Sequence, residues 1–299
     1  MKYTILSTAV AALLVSASSA MAAENSIFDG GKLLATAGVS QIEGAGGGGL
    51  TPWALITGYG TRDGIGANVH ETYVGLGDYS LNSSGVAVGL YDRVELSYAR
   101  QSFRGTHGGL NGLAIDQDVY GIKVKLIGDA VYDQDTWIPQ VAVGLLYKSN
   151  ANISGLGAPL KPTNLGASHD DGTDFYVSAT KLYLDESLLA NVTLRATKAN
   201  QFGLLGYGSA TSGNYKLEPE MSLAYLFTRQ FAVGAEYRAK PNNLNATLGK
   251  EEAAYDLFAA YFLNRNVSLT LAYVDLGTIA PAAVSGNQHG TYASVQVGL

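Results

Sequence analysis

Four histidines, a glycine run, an acidic run and a set of alternating charges are the residues whose types and spacing could do chemistry. His107, His169 and His289 have Ser102, Ser168 and Ser285 within a few positions. A serine or aspartate paired with an imidazole is the arrangement of hydrolytic catalysis, so these are the groups a hydrolase of lipid or peptide would use. They fall in segments rich in Asn, Asp, Gly, Pro and Ser, where such neighbours arise from turn composition alone. No nucleophile-elbow phrase accompanies them, and no catalytic residue is assigned. The run Gly44-Ala45-Gly46-Gly47-Gly48-Gly49 matches G-x-G-x-x-G letter for letter. A dinucleotide fingerprint needs a helix next, and Leu50-Thr51-Pro52-Trp53 follows without a helical pattern. The run reads instead as a flexible connection or as a place where backbone comes close to another segment and only Gly fits. The stretch His169-Asp170-Asp171-Gly172-Thr173-Asp174 is rich in oxygen ligands. Its spacing does not match a calcium loop, and it reads as a solvated loop, with cation bridging to lipopolysaccharide phosphates as a lesser role. No metal and no cofactor is expected.

The charges are more informative. Glu95, Lys123, Lys125, Arg195, Glu218, Glu220, Glu236, Arg238 and Asp256 each alternate with apolar neighbours. Alternation is the period of a strand, whose successive side chains point to opposite faces. If the apolar face meets lipid, a Lys or Arg placed there at mid-membrane would cost about 2–4 kcal/mol, so the charges belong on the inner face. Hairpin arithmetic pairs them. The short turn at 228–230 sets Glu220 opposite Arg238, a loop centred near 207 brings Arg195 to Glu218 and Glu220, and a link centred near 109 brings Glu95 to Lys123 and Lys125. Two readings follow: a salt-bridge lattice filling a closed lumen, or the charged wall of a pore or ligand cavity.

The elements that must position these residues are strands. The segments 136–148, 216–228, 229–239 and 266–276 alternate with a period of two; Leu217, Pro219, Met221, Leu223, Tyr225 and Phe227 take one face of the second. From Asp92 onward, short connections (Asp92-Arg93, 129–135, 184–187, 228–230, 264–266) take turns with long ones (104–114, 149–172, 199–215, 240–252, 277–288). Short turns at one rim and long loops at the other are the habit of outer-membrane barrels. The aromatics on the apolar parity, among them Tyr98, Trp137, Tyr147, Tyr225, Phe227, Tyr237, Tyr255, Tyr261 and Tyr273, fit interfacial girdles. Counting back from the C-terminus predicts an all-β, antiparallel transmembrane β-barrel of about 14 strands, with 33–43 and 50–60 as the first two; if 24–50 is a plug instead, about 12 remain.

Composition agrees. The 299 residues are 47% hydrophobic and 15% charged, with 37 Gly and 19 Tyr, and the mean hydropathy is +0.09. Lys2, the apolar stretch from Ile5 to Val15 and Ala20-Met21-Ala22 read as a signal peptide over 1–22, leaving a barrel over 23–299. No later run reaches the roughly 18 apolar residues a membrane helix needs. A closed barrel is the other architecture that satisfies every backbone group in lipid. Zero Cys excludes a disulfide scaffold, a thiolate metal site and a Cys nucleophile, and a net charge of -6 speaks against nucleic acid.

The phrases Gly31-Lys32-Leu33-Leu34, Gly38-Val39-Ser40-Gln41, Gly49-Leu50-Thr51-Pro52-Trp53-Ala54, Gly58-Tyr59-Gly60-Thr61-Arg62-Asp63 and Tyr91-Asp92-Arg93-Val94-Glu95-Leu96-Ser97-Tyr98-Ala99-Arg100 together resemble a family of proteobacterial exported proteins, the domain of unknown function 3034. The resemblance covers nearly the whole mature chain and implies an outer-membrane location, without catalytic residues to carry over. The last strand, ending Val295-Gln296-Val297-Gly298-Leu299, is similar to the C-terminal signal read by the barrel-assembly machinery, with Leu299 in place of the usual Phe. The expected partners are therefore outer-membrane lipid and lipopolysaccharide, that machinery during insertion, and a small solute. The expected function is a passive channel or uptake pore with no enzymatic step. The alternatives are a structural or adhesion barrel with a filled, salt-bridged lumen, and an outer-membrane hydrolase.

Overall fold

The computed structural model describes residues 27–299 except 29, 108, 109, 156 and 158, and the backbone alone of residue 151. The signal peptide expected at 1–22 lies outside the described residues. Two short strands come first, β1 (Val39–Ser40) and β2 (Gly46–Gly47), paired with each other. Twelve more follow: β3 (Ile65–Leu76), β4 (Tyr79–Leu90), β5 (Val94–Gly105), β6 (Ala114–Ile127), β7 (Gln140–Ser154), β8 (Asp171–Tyr183), β9 (Leu188–Thr197), β10 (Lys216–Leu226), β11 (Phe231–Arg238), β12 (Ala254–Phe262), β13 (Val267–Asp275) and β14 (His289–Gly298). β3 to β14 form a closed antiparallel barrel, each paired with its sequence neighbours, and β14 closes onto β3.

The count is twelve, the alternative in which the N-terminal segment is a plug, rather than fourteen. The expected strands 33–43 and 50–60 do not join the wall; every residue from 36 to 60 is buried. A strand between lipid and lumen must show one apolar face outward; 33–43 is short of large side chains for such a face, and in 50–60 Trp53, Leu55 and Tyr59 are buried inside the barrel instead. The turn at Thr61, closed by the Gly64 N–H to Thr61 carbonyl bond, leads from this internal segment into β3. Two other boundaries move. The strand expected at 84–91 begins at Tyr79, and the one expected at 136–148 runs Gln140–Ser154, because Pro139 has no N–H to give the ladder.

Side chains alternate as lipid on one side and a packed interior on the other require. Val143, Leu223, Leu269 and Val295 are exposed, while Val141 and Val233 are half-buried. Leu257 and Leu271 are 67% and 64% exposed on neighbouring strands, an area of bare hydrocarbon that water would penalise and lipid does not. Aromatic rings border this belt. Tyr237 and Tyr255 meet at 5.2 Å at the long-loop ends of β11 and β12, and Tyr225, Phe227 and Phe231 cluster at the opposite rim. The five long loops share one rim and fold inward over it. Leu113, Phe202, Leu204, Leu244 and Ile279 from the loops and Ile153 from the end of β7 join one apolar cluster with Ile42 and Leu50 of the internal segment.

Candidate functional site: a plugged lumen

The N-terminal segment threads the barrel and is held by the wall's inward side chains. Near its entry, Lys32 pairs with Asp92 at 2.8 Å, and Lys125 meets the same carboxylate at 2.6 Å. Deeper in, Glu95 and Lys123 form a buried pair at 3.0 Å. Glu95 accepts the N–H groups of Gly46 and Thr57, each at 2.9 Å, and Lys123 donates to the carbonyls of Gly46 and Leu55. Thr193 donates to the Pro52 carbonyl at 2.8 Å, and the Ala54 N–H donates to Thr180 Oγ1 at 2.8 Å. On the far wall Glu236 accepts from the Leu50 N–H and Thr51 Oγ1, both at 2.6 Å, and from Ser222 at 2.7 Å. Backbone groups of a buried, irregular segment must find partners, and here the barrel wall supplies them.

The glycine run is explained by the same closeness. A Cβ on Gly48 would lie 2.1 Å from Glu236 Oε1, and one on Gly47 would lie 2.3 Å from the Thr51 carbonyl oxygen. Gly48 leaves no room for a side chain against the wall, and Gly47 leaves none against the plug's own returning backbone.

At the centre three carboxylates and three cations meet, all at most 2% exposed in their side chains. Glu43 comes from the plug, Asp174 from β8 and Glu220 from β10; Lys148 comes from β7, Arg195 from β9 and Arg238 from β11. Glu43 pairs with Lys148, with Arg238 at 2.8 Å and with Arg195 at 3.5 Å. Asp174 pairs with Lys148 at 2.8 Å and Arg195 at 3.4 Å. Glu220 joins Arg195 to Arg238, the latter at 3.3 Å. Phe202, from the loop cap, lays its ring 4.1 Å from the Arg238 guanidinium, and its carbonyl accepts from Lys148 at 2.9 Å.

Among the charges read from the sequence, Glu95, Lys123, Lys125, Arg195, Glu220, Glu236, Arg238 and Asp256 are buried in the interior. Glu218 is half-exposed at the loop rim and lines an outer cavity. Glu220 lies opposite Arg238, and Arg195 lies opposite Glu218 in register while its ion pair is with Glu220. Lys125 turns to Asp92 and Asp129 rather than to Glu95. Asp256, the cross-strand partner of Glu236, has no basic side chain on either oxygen among the described residues and lies carboxyl to carboxyl against Glu236. Sequence reasoning missed Glu43, Lys148 and Asp174. Lys148 shares the parity of Gln140, a legible signal; Asp174 was masked by the acidic run before it, and Glu43 carries no signal once its segment is read as wall. The acidic run divides accordingly: Asp171 and Asp174 lie on β8, not in a loop. His107 bonds Thr106, His169 meets Tyr207 through backbone, and His289 faces the Tyr273 ring. Among the described residues no cluster of three His, Asp or Glu side chains could hold a metal ion.

The sequence matches, over residues 36–296, the family described as "Protein of unknown function (DUF3034)". The chain belongs to this family. No curated protein matches. Solved structures similar to it include the KdgM porin, at 8% identity and a TM-score of 0.48 over 77% of this chain and 98% of that one. The NanC porin, at 11% identity and a TM-score of 0.48, has the same coverage. The COG4313 outer membrane channel from Pseudomonas putida F1 is 10% identical, with a TM-score of 0.44 over 78% of this chain and 94% of that one. The lipid-facing belt, aromatic rims, closed even-stranded wall and one-sided long loops make this DUF3034 protein an outer-membrane β-barrel.

Proposed function

We propose that the protein is an outer-membrane channel for a small solute, closed by its own N-terminal segment. The observation that carries this reading is the chemistry of the wall behind the plug. A lumen that only needed filling could be packed with apolar side chains at equal or better stability, since buried ion pairs rarely outdo them. This wall instead presents Glu95, Lys123, Lys148, Asp174, Arg195, Glu220, Glu236 and Arg238 to the plug, the kind of surface that can face water once the plug withdraws. Outer-membrane lipid and lipopolysaccharide are the surroundings this reading assumes. A second reading, a permanently filled barrel whose loop cap is the working surface, draws support from the balanced central cluster of three acids and three bases. Planar-bilayer recording of the whole protein separates the two. The channel reading expects a mostly closed barrel with discrete openings that become more frequent when the plug's contacts are weakened. Silence in every plug-weakened variant that still forms a barrel would leave the filled scaffold as the answer.

A further inference from the structure

At the long-loop rim, outside the plugged lumen, a cavity of about 510 Å³ opens between the loop after β11 and the loop after β13. Four carboxylates line it, Glu218, Glu251, Glu252 and Asp275, against two cations, Lys240 and Lys250. None of the four carboxylates makes an ion pair among the described residues. Lys240 is committed elsewhere, donating to the Leu276 carbonyl at 2.6 Å and to Gln201 Oε1 at 3.1 Å. Glu251 is 5% exposed; its Oε2 accepts the Gln201 N–H at 3.1 Å, while its Oε1 has no partner at all. An unmatched buried carboxylate oxygen is costly, and it persists most readily where a ligand completes it. Tyr237 and Tyr255 line the same cavity with their rings 5.2 Å apart, an apolar surface beside the carboxylates.

We propose that this cavity binds a small organic cation, a primary ammonium compound, which donates to Glu251 Oε1 and rests its alkyl part against the Tyr237–Tyr255 pair. The ammonium rather than a metal ion is favoured because no three acidic or histidine side chains converge at metal-ligand spacing among the described residues. Burial pushes the Glu251 carboxyl up to about 7, against the pull of Lys240 and Lys216. The site does not depend on whether the barrel conducts.

The test is calorimetric titration of the folded, detergent-solubilised protein with butylammonium chloride, with calcium chloride and sodium chloride as controls. The expected result is saturable butylammonium binding, weakened about tenfold or more by Glu251→Gln, as loss of a charge-assisted bond requires. Should Glu251→Gln fail to fold, Glu252→Gln, on a half-exposed residue, is expected to weaken binding by about threefold, because a second carboxylate adds charge at longer range. Hydrogen exchange at the Gln201 amide should slow on binding. Absence of saturable butylammonium binding, binding of calcium in its place, or equal affinity in Glu251→Gln or, if that variant does not fold, in Glu252→Gln would overturn the proposal.

Discussion

Glu43→Gln should loosen the plug without dissolving the barrel. Glu43 is the plug's one carboxylate in the central cluster, and it touches Lys148, Arg195 and Arg238, all at most 2% exposed in their side chains. With it, three acids balance three bases. Without it, Asp174 and Glu220 face three cations in a space closed to water. Breaking a buried pair by removing one partner costs about 3–5 kcal/mol. The cost falls on the plugged state alone, because water can solvate the wall cations once the plug leaves. At about 1.4 kcal/mol per tenfold, the unplugged population rises by a factor of roughly 10² to 10⁴. The lower end suits Gln, whose amide oxygen still accepts one bond, and Glu43→Ala should lie higher. Opening frequency in planar bilayers is the assay, with heat-modifiable migration confirming that the barrel is intact. An intact Glu43→Gln barrel that opens no more often than the wild type would refute the claim that this cluster locks the plug.

Other perturbations test separate parts of the account. Gly48→Ala puts a methyl 2.1 Å from Glu236 Oε1, and overpacking of this kind costs about 1–3 kcal/mol; protease should cut the plug segment faster in this variant, and an unchanged rate would show that the run has slack. Asp256→Asn replaces one member of the buried Asp256–Glu236 carboxyl pair with an amide that donates without needing a proton, and the unfolding temperature should rise by the equivalent of about 1 kcal/mol; a fall would mean that Asp256 has a favourable countercharge. Val143→Arg places a charge on the lipid face and should destabilise the barrel by about 2–4 kcal/mol, measured by urea unfolding in lipid. The loop cap should respond to pH through Glu251 and Lys240. Burial raises Glu251 from 4.5 to about 7, so its proton stabilises the cap below about 4.5 and that stability is lost as pH rises towards 7. Burial lowers Lys240 from 10.5 to about 8 against the pull of Glu251, so its penalty is present below about 8 and is relieved as pH rises towards 10.5. Hydrogen exchange over 199–208 and 239–253, corrected for intrinsic rates, should be slower at pH 5 than at pH 7.5; the reverse order would contradict the assignment.

The wall was legible because lipid imposes a strict period: Leu217, Met221, Leu223 and Tyr225 alternate with Glu218, Glu220, Ser222 and Ala224 on β10, and the structure keeps that parity. The pairing of Glu220 with Arg238 was legible too, because a short turn leaves no slack in register. The plug was not. Its residues are buried on all sides, so no alternation marks them. Its contacts reach strands more than a hundred residues away, as Glu43 reaches Lys148 and Arg238, and no local rule encodes such distances. Val39 and Leu55 mimic residues of wall strands because the interior near the short-turn rim, with Phe258 and Phe262, is apolar as well. The Gly run did carry the signal of close backbone approach, but not the identity of the surface approached.

The most direct test of the central claim is a reversible tether between plug and wall. Thr51 Oγ1 lies 2.5 Å from Ser222 Oγ, within the reach of a disulfide, and the native chain has no cysteine to compete. Bilayer recording of Thr51→Cys/Ser222→Cys should show no openings when oxidised and, after reduction, openings at or above the wild-type frequency, since both hydroxyls that donate to Glu236 are gone. Equal conduction in the oxidised and reduced states would contradict the account, because ions would then be crossing without the plug having moved.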